Sequence, residues 1–498
     1  MLFNSYLFVL LFLPLCLAGY FSLNHFRLYS LGHLFLLGMS LWFYGYFNPR
    51  YLWIILASVF FNYTAYRLLD RTSRPLYRRL LLFLALAFNF GALFYFKYHD
   101  FFFENVNALF QTAFTLRHLV LPLGISFFTF QQVSFIVDAY RGEVPRYGLL
   151  CYMCYVTYFP QLIAGPIVTH DELIPQFYDP EKKRFNWDHF AQGVSLFVLG
   201  LSKKVLLADI FGNAANWGFS NIDSLNTPSA LLVSLAYTVQ IYFDFSGYCD
   251  MAVGIGRMMN LDLPMNFDSP YKALTITEFW DRWHMTLTRF FQRYVYIPLG
   301  GNRRGAVRTY WNVMVVFLAS GLWHGANWTF LLWGALHGVF SVITRHWKPF
   351  FERLHPALSW LVTFSFVNTA WVFFRADSIG DALRLLRRMV SMNFDGLPPE
   401  LLNAFTGIPN RILDEFFGRE LYRLLPFFQD APRRPPDVKL MLPCYFLLAF
   451  LLILGPRNAC RRLEDFRPTI PRMLGLAVLL TWCVFSFSSI STFLYFNF

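Results

Sequence analysis

Long apolar windows recur along the chain and are separated by short polar stretches. They lie at 2–22, 31–48, 51–66, 80–97, 119–140, 148–168, 190–211, 229–247, 309–323, 327–344, 358–374, 440–455 and 473–495. An α-helix needs about 20 apolar residues to cross a bilayer, and the shorter windows are typical of re-entrant or broken segments. The pattern therefore predicts an all-α polytopic membrane protein with about 11–13 membrane-embedded helices.

Composition agrees with this interpretation. The 498 residues are 56% hydrophobic and 14% charged, whereas soluble domains carry about 25% charged residues. In a membrane protein, the net charge of +12 indicates basic cytoplasmic loops and anionic headgroups, not nucleic acid. The first 21 residues lack a positively charged start and a small-residue cleavage site, so we expect a retained span and not a signal peptide.

Basic loops predict the orientation, because cytoplasmic loops carry an excess of Lys and Arg. The clearest are RLLDRTSRPLYRR (67–79) and RNACRRLEDFRPTIPR (457–472). Working back from the second places the basic stretches 345–354 and 300–308 inside as well, and working outward from the first gives the position of the N-terminus. The N-terminus is then expected outside.

The stretch 394–438 is rich in Pro and polar residues, which is typical of loops. The orientation places it outside, so we predict an extramembrane excursion on the outer face and not a second domain, and we expect residues 1–498 to form a single membrane domain. Arg384, Arg387 and Arg388 would also lie outside, an arrangement that an interfacial helix accommodates.

Most common catalytic and metal-binding motifs do not occur. Cys151 and Cys154 form a lone CxxC without a second pair, and the seven cysteines imply no disulfide framework. There is no HExxH or Cys/His cluster, so no metal is expected, and no GxSxG that would indicate a serine nucleophile.

The unusual residues concentrate in 244–340, which we interpret as the catalytic segment. It begins with Asp244 and Asp250 in a strongly apolar window. Carboxylates inside a membrane are costly and are usually paired or functional. Two interpretations remain open. The carboxylates form a structural pair with Arg257 or a hydroxyl group, or they have a supporting role in the site.

The stretch TITEFWDRWHMTLTRFFQRYVYIPLGG is predicted to be one amphipathic boundary helix. Thr275 or Thr277 is a suitable cap, and Pro298 closes the stretch. At 100° per residue its aromatic residues share one arc and its charged residues the other. His284 lies at the edge of the apolar arc, either as a functional group or as a packed histidine.

In LGGNRRGAVR, glycines surround Arg303 and Arg304. Guanidinium groups suit phosphate oxygens, and glycines let a ligand approach the backbone. A polyanionic cofactor on the cytoplasmic side would fit here, and an ordinary basic cytoplasmic loop explains the pattern equally well.

In SGLWHGANW, the pair Trp323–His324 stands between Gly321 and Gly325. We expect these glycines to let other backbone or a substrate approach the imidazole. His337 follows in WGALHG. A histidine at this depth favours acid–base or acyl-handling chemistry on a hydroxyl group.

Together, YFDFSGYCDMAVGIGRMM, NFDSPYKALTITEFWDRWHMTL, YVYIPLGGNRRG and GLWHGANWTFLLWGALHG resemble the membrane-bound O-acyltransferase family, and within it the bacterial alginate O-acetylation branch. The resemblance covers most of residues 1–375. It implies membrane helices around a central funnel or tunnel and acyl transfer from a thioester. It also implies that His324 is catalytic, that His284 is the upstream family residue, and that His337 lies in the following helix. Asp281 departs from the family pattern next to this site.

The resemblance further implies acetyl-CoA as the donor inside, and transfer of the acetyl group to a periplasmic or membrane-anchored partner acyltransferase outside. Expected surroundings are the bacterial inner membrane, its lipids, and polysaccharide synthesis and export machinery. His324 would act as a general base or as a transient acyl carrier, and His284 would polarise the thioester, orient the acceptor or act as the second acid–base group. Alginate, acetylated cellulose, another exopolysaccharide, peptidoglycan and, more distantly, teichoic acid are the open acceptors.

Two other functional classes share part of this pattern. A transporter or export component for a polysaccharide or lipid-linked sugar would also use buried acids and a tunnel. However, the chain shows neither an internal repeat nor matching interrupted helices in two halves. A scaffold would leave the glycine-flanked His324 unexplained.

Overall fold

The helices of this chain follow its apolar windows. They are seen in a computed structural model that describes residues 1–405, 438–463, 466–487 and 493–494. The first half contains α1 (Leu13–His25), α2 (Tyr29–Gly45), α3 (Tyr51–Arg71), α4 (Pro75–Leu93), α5 (His99–Phe110), α6 (Ile125–Arg141), α7 (Leu149–Thr157), α8 (Phe159–Leu162), α9 (His170–Tyr178), α10 (Trp187–Ser202) and α11 (Asp209–Ser220). Then come α12 (Thr227–Met258), α13 (Ile276–Arg282), α14 (Met285–Phe291), α15 (Ala306–His324), α16 (Trp328–His346), α17 (Lys348–Arg353), α18 (Pro356–Arg375), α19 (Ile379–Met389), α20 (Pro399–Asn403), α21 (Val438–Leu454) and α22 (Ile470–Phe485). Over the described ranges, β-pairing is limited to one isolated bridge between Phe267 and Trp283. The predicted all-α membrane fold is confirmed.

Several helices contain a π-helical turn, in which one extra residue widens the helix. These turns cover Phe8–Phe12, Phe94–Tyr98, Lys203–Ala208 and Gln292–Tyr296. Such turns occur frequently at functional sites. Two of them supply residues to the buried polar contacts described below.

Four of the described helical segments are long and apolar enough to cross a membrane. They are Phe8–His25, Tyr51–Arg71, Pro75–Phe110 and Pro356–Arg375, and two shorter apolar helices cover Met441–Leu454 and Ile470–Phe485. The other windows contain helices that are shorter or less apolar, so the number of spans stays a prediction.

Helix α12 is the central helix of the fold. It packs against α10, α11, α18 and α19, and nearly all of its residues are buried. Two glycine pairs bring the backbones of α10 and α12 together. A Cβ on Gly193 would lie 2.5 Å from the carbonyl oxygen of Gly254, and one on Gly200 would lie 2.6 Å from that of Gly247. Small residues at such contacts are typical of helix association in membranes.

Two predicted windows are broken by the structure. In 119–140 the helix begins only at Ile125, after a non-helical segment. In 148–168, α7 ends at Thr157 and the short α8 follows before the chain becomes irregular. Pro160 and Gly165 lie in this second segment, and Pro disfavours a continuing helix at its N-terminal side.

The boundary helix predicted between its cap at Thr275 or Thr277 and Pro298 is not continuous, and this prediction is wrong. The chain breaks at Trp283 and His284 into α13 and α14, and the π-helical turn Gln292–Tyr296 follows. The assignment of its two faces agrees with the observed burial, because the aromatic residues of the apolar arc are buried except for the partly exposed Tyr294, and the charged residues are at least partly exposed. Thr275 is the cap, accepting a hydrogen bond from the backbone N–H of Glu278 at 3.1 Å.

The predicted excursion 394–438 lies only partly within the described residues. Its start packs against the first turn of α12, where the Asn226 amide donates to the carbonyl oxygen of Gly396 at 3.0 Å. The remainder, 406–437, lies outside the part that the structure describes. The preceding basic segment forms α19, which buries Ala382 and Leu385, and Arg384 pairs with Asp223 at 3.0 Å.

Candidate active site

His284 lies at a sharp break between two short helices. Its backbone has φ 46° and ψ 51°, the left-handed conformation that residues other than Gly and Asn rarely adopt. The bridge between Phe267 and Trp283 precedes it, and the backbone N–H of Met285 donates to the carbonyl oxygen of Asn266 at 3.0 Å. Strained backbone of this kind concentrates at functional sites, where surrounding contacts hold it.

Asn266 holds the His284 imidazole and determines its tautomer. Its Oδ1 accepts from the backbone N–H of Thr286 at 3.2 Å and from the Thr286 hydroxyl at 2.9 Å, and its Nδ2 lies 3.3 Å from Cys249 Sγ. These contacts fix the orientation of the amide. His284 Nδ1, 3.2 Å from the same Oδ1, therefore carries the proton and donates it. The lone pair of the neutral ring is then on Nε2, the nitrogen suited to accept a proton.

His324 is the last residue of α15 and is 3% exposed. Its ring centroid lies 4.9 Å from that of Trp323, 5.2 Å from that of Trp333 and 5.1 Å from that of Phe374. The chain becomes extended at Gly325, so the imidazole stands where the helix ends.

The structure brings the two predicted catalytic histidines together from separate elements. The ring centroids of His284 and His324 are 6.5 Å apart, a spacing at which one small group can contact both rings. Phe127, Phe245 and Trp323 pack around His284, with ring centroids 4.8–6.4 Å from its own. The arrangement is a pair of imidazoles inside an aromatic enclosure, which is suited to proton transfer away from bulk water.

A cavity of about 20 Å³ lies beside His324. A water molecule needs about 10–15 Å³ of such space and two to four polar partners. The cavity has this volume, and polar lining from Lys97, Ser126 and His324 itself. One small oxygen-containing group therefore fits next to the imidazole.

Trp323 separates this cavity from a larger apolar cleft of about 340 Å³. The cleft lies between α4, α6, α14 and α15, with Tyr98 and Tyr294 among its lining residues. Trp323 therefore lines both spaces, whereas His324 lines only the small cavity.

The glycines around the motif serve helix packing. A Cβ on Gly321 would lie 2.3 Å from the carbonyl oxygen of Phe330, and one on Gly334 would lie 2.4 Å from that of Phe317. A Cβ on Gly325 would lie 2.1 Å from the Phe330 ring. Backbone of α16 therefore approaches α15 at Gly321, but it does not approach the imidazole as the sequence predicted.

His337 is buried among aromatic side chains and stands apart from the pair. Its Nδ1 accepts a hydrogen bond from the indole N–H of Trp280 at 3.3 Å. Trp333 lies between it and His324, with ring centroids 4.9 Å and 5.2 Å from the two histidines. These contacts are those of a packed histidine that supports the aromatic enclosure.

The buried carboxylates of α12 pair with lysines of a π-helical turn. Lys203 Nζ lies 2.5 Å from Asp250, and Lys204 Nζ lies 2.6 Å from Asp244. Of the alternatives left open by the sequence, a structural pairing is present, but its partners are these lysines and not Arg257, whose guanidinium binds Asp262 instead. The two pairs join α12 to the turn at Lys203–Ala208, and a supporting role in the site stays a prediction.

Arg303 and Arg304 lie in an exposed turn before α15. Among the described residues, no carboxylate pairs with either guanidinium. The 19-residue helix α15 separates this turn from His324 by about 27 Å at 1.5 Å per residue. They therefore do not contact the histidine pair, and a phosphate-binding role remains a prediction.

Sequence inspection missed Asn266, Lys97 and Ser126. Asn266 stands in the stretch NFDSPYKAL without a feature that distinguishes it, and Lys97 precedes His324 by 227 residues. Within the described ranges, no three His, Cys, Asp or Glu side chains form a group suited to a metal ion.

Comparison with known proteins agrees with this geometry. Residues 110–379 match the model of the membrane-bound O-acyltransferase family. The peptidoglycan O-acetyltransferase of Helicobacter pylori is 39% identical over 528 aligned positions, covering 100% of this chain and 98% of that protein. A probable alginate O-acetylase of Pseudomonas aeruginosa is 38% identical over 402 positions, covering 78% and 75%. A teichoic acid D-alanyltransferase of Streptococcus thermophilus is 28% identical over 246 positions, covering 45% and 57%. The chain belongs to the membrane-bound O-acyltransferase family and is an acyltransferase.

Proposed function

We propose that this protein is an O-acetyltransferase of the bacterial inner membrane that moves acetyl groups from cytoplasmic acetyl-CoA toward a glycan of the cell envelope. The observation that carries this proposal is the buried pair His284–His324, with ring centroids 6.5 Å apart and a cavity for one small group beside it. Peptidoglycan is the acceptor we favour, because the similarity to the Helicobacter pylori enzyme extends over the whole chain. An alginate-like exopolysaccharide is the second candidate, from the similarity to the alginate O-acetylases.

His324 is the proposed general base. It accepts the proton of the attacking hydroxyl as that oxygen bonds to the acetyl carbon, and it returns the proton to the sulfur as the carbon–sulfur bond breaks. Such catalysis contributes about 10²–10⁴-fold. His284 presents Nε2 to the same enclosure because Nδ1 is held by Asn266, so we assign it the role of orienting the hydroxyl.

The residues at the cytoplasmic end fit a polyanionic donor. Arg303 and Arg304 are exposed, and guanidinium groups bind phosphate well. A thioester supplies the activated acetyl carbon when the donor is bound. The attacking hydroxyl is that of the acceptor on the outer side, a partner acyltransferase of the same pathway or the glycan itself, so the acetyl ester forms there while the free CoA thiol leaves.

The test measures transfer of labelled acetyl from acetyl-CoA in membranes at matched expression. His324→Gln should lower transfer by about 10²-fold or more. His284→Asn is the informative change at the second position, because Asn tolerates the left-handed backbone; a loss in this variant reports on the imidazole and not on strain. Transfer at the wild-type rate in both variants would refute the assignment and favour the transporter.

Donor binding and acceptor identity have their own readouts. Arg303→Ala with Arg304→Ala should raise the KM for acetyl-CoA at unchanged kcat, while Arg353→Ala, another exposed arginine near a basic loop, should leave both unchanged. Inverted vesicles should use external acetyl-CoA and right-side-out vesicles should not. Alkali-labile label in isolated sacculi supports peptidoglycan, and label in secreted polysaccharide supports the second candidate.

A further inference from the structure

A lysine from a distant part of the chain contacts the end of the WHG helix. Lys97 lies in the π-helical turn Phe94–Tyr98, between α4 and α5. Its Nζ donates to the carbonyl oxygen of Trp323 at 2.7 Å, to that of His324 at 3.0 Å, and to Ser126 Oγ at 3.2 Å. All three ammonium hydrogens are thus accounted for by acceptors.

These contacts satisfy a requirement of the helix end. The last four carbonyl groups of an α-helix have no partner within the helix, and an unsatisfied carbonyl is costly inside a membrane. The neighbouring Tyr98 hydroxyl donates to the carbonyl oxygen of Leu322 at 2.7 Å. Lys97 and Tyr98 together therefore cap three successive carbonyls, and the ammonium charge lies at the negative end of the helix dipole.

The same ammonium group is next to the proposed site. Lys97 and Ser126 line the cavity of about 20 Å³ beside His324. Phe127, which follows Ser126, has its ring centroid 6.4 Å from that of His284. One side chain thus joins α15, the start of α6 and the α4–α5 segment around the two imidazoles.

We propose that Lys97 is a positioning residue of the acetyl-transfer reaction. Its ammonium group fixes the backbone of Trp323 and His324, so that the imidazole of His324 faces the small cavity. This inference rests on the proposed role of His324. Burying a charge within the apolar segment FYFKYHDFFF costs free energy. The contacts of Lys97 with the end of α15 and its position beside the site explain why a lysine is present there. Lys97 is assigned a role that acts through His324, without contact to the substrate.

The test compares variants at position 97 with a matched control. Lys97→Met keeps the length of the side chain and removes both charge and donors. A displacement of about 1 Å in a catalytic group lowers rates by about 10²-fold, so kcat should fall ten- to hundredfold while the KM for acetyl-CoA changes less than twofold. Lys97→Arg should recover a large part of kcat, because it restores a cation and donors. Lys348→Met, an exposed lysine on α17, is the control for loss of one lysine.

Parallel assay of His324→Gln separates the two proposals. If that variant loses transfer and Lys97→Met keeps wild-type kcat, the inference about Lys97 is overturned and the proposed function stands. If His324→Gln keeps transfer, the proposed function fails and the inference fails with it. If Lys97→Met does not reach the membrane, Lys97→Gln decides the matter: wild-type kcat in this uncharged variant overturns the inference, and low kcat with recovery in Lys97→Arg supports it.

Discussion

Replacing Gly321 by alanine tests whether the contact between α15 and α16 sets the position of His324. The added Cβ would lie 2.3 Å from the carbonyl oxygen of Phe330, 3.2 Å from its carbonyl carbon and 3.4 Å from the Cα of Gly334. Ordinary contact begins at 3.4 Å. The closest partner is backbone, so no side-chain rotation relieves the clash and the helices must separate by about 1 Å.

His324 lies three residues after Gly321 on the same helix, so a displacement of the helix at Gly321 also displaces His324. Overpacking of this kind costs about 1–3 kcal/mol of folding free energy. A catalytic group displaced by about 1 Å loses about 10²-fold in rate. The expected result is therefore a large fall in kcat with a modest fall in thermal stability.

The assay is acetyl transfer from labelled acetyl-CoA, together with the unfolding temperature of the purified protein in detergent. Gly38→Ala on α2 is the matched control, because its Cβ would meet no atom within 4 Å; alanine is the better helix former there by about 1 kcal/mol. If Gly321→Ala transfers at the rate of Gly38→Ala, the close approach of α16 does not position His324 and the argument fails.

Substitutions at Asn266, at the Lys203–Asp250 pair and at His337 test three further parts of the structure. Asn266→Ala should lower kcat about tenfold or more, because His284 Nδ1 loses its acceptor, and Asn266→Asp should keep more activity since it retains the oxygen; equal rates would contradict this role. Lys203→Met should lower the free energy of unfolding by about 3–5 kcal/mol, and Lys203→Met with Asp250→Leu should recover most of it; additive losses in a thermal-unfolding cycle would show that the pair is not coupled. His337→Phe should keep transfer within about twofold, as expected for a packed ring, and a loss as deep as that of His324→Gln would assign it to the chemistry.

The sequence predicts helices well where one apolar pattern runs between clear end signals. Windows 309–323 and 327–344 correspond to α15 and α16, which Gly325 and the cap Asn327 separate. The pattern fails at His284, because apolar periodicity continues across the break. The left-handed backbone there is held by Asn266, eighteen residues earlier, and no local signal reports such a contact.

The candidate site shows the same division. His284 and His324 are identified by their motifs, and the structure brings their rings together. The partners of Asp244 and Asp250 were left open by the sequence, because they come from another segment, the turn at Lys203–Ala208. Which cation meets which carboxylate depends on the packing of α12 against that turn, and periodicity within one segment carries no information about it.

Both histidines lie where a helix is interrupted, and this accounts for most of the polar side chains around them. A continuous span satisfies its own backbone, whereas an interrupted helix in a membrane leaves amide and carbonyl groups that other residues must bind. Asn266 does so at the break before α14, and Lys97 with Tyr98 does so at the end of α15. The interruptions allow two imidazoles from separate elements to face one enclosure. If two uninterrupted spans packed side by side there, apolar side chains would fill that space. Substitution of the capping groups should therefore impair acetyl transfer more than it impairs folding, since they stabilise the positions of the histidines and not the packing of whole helices.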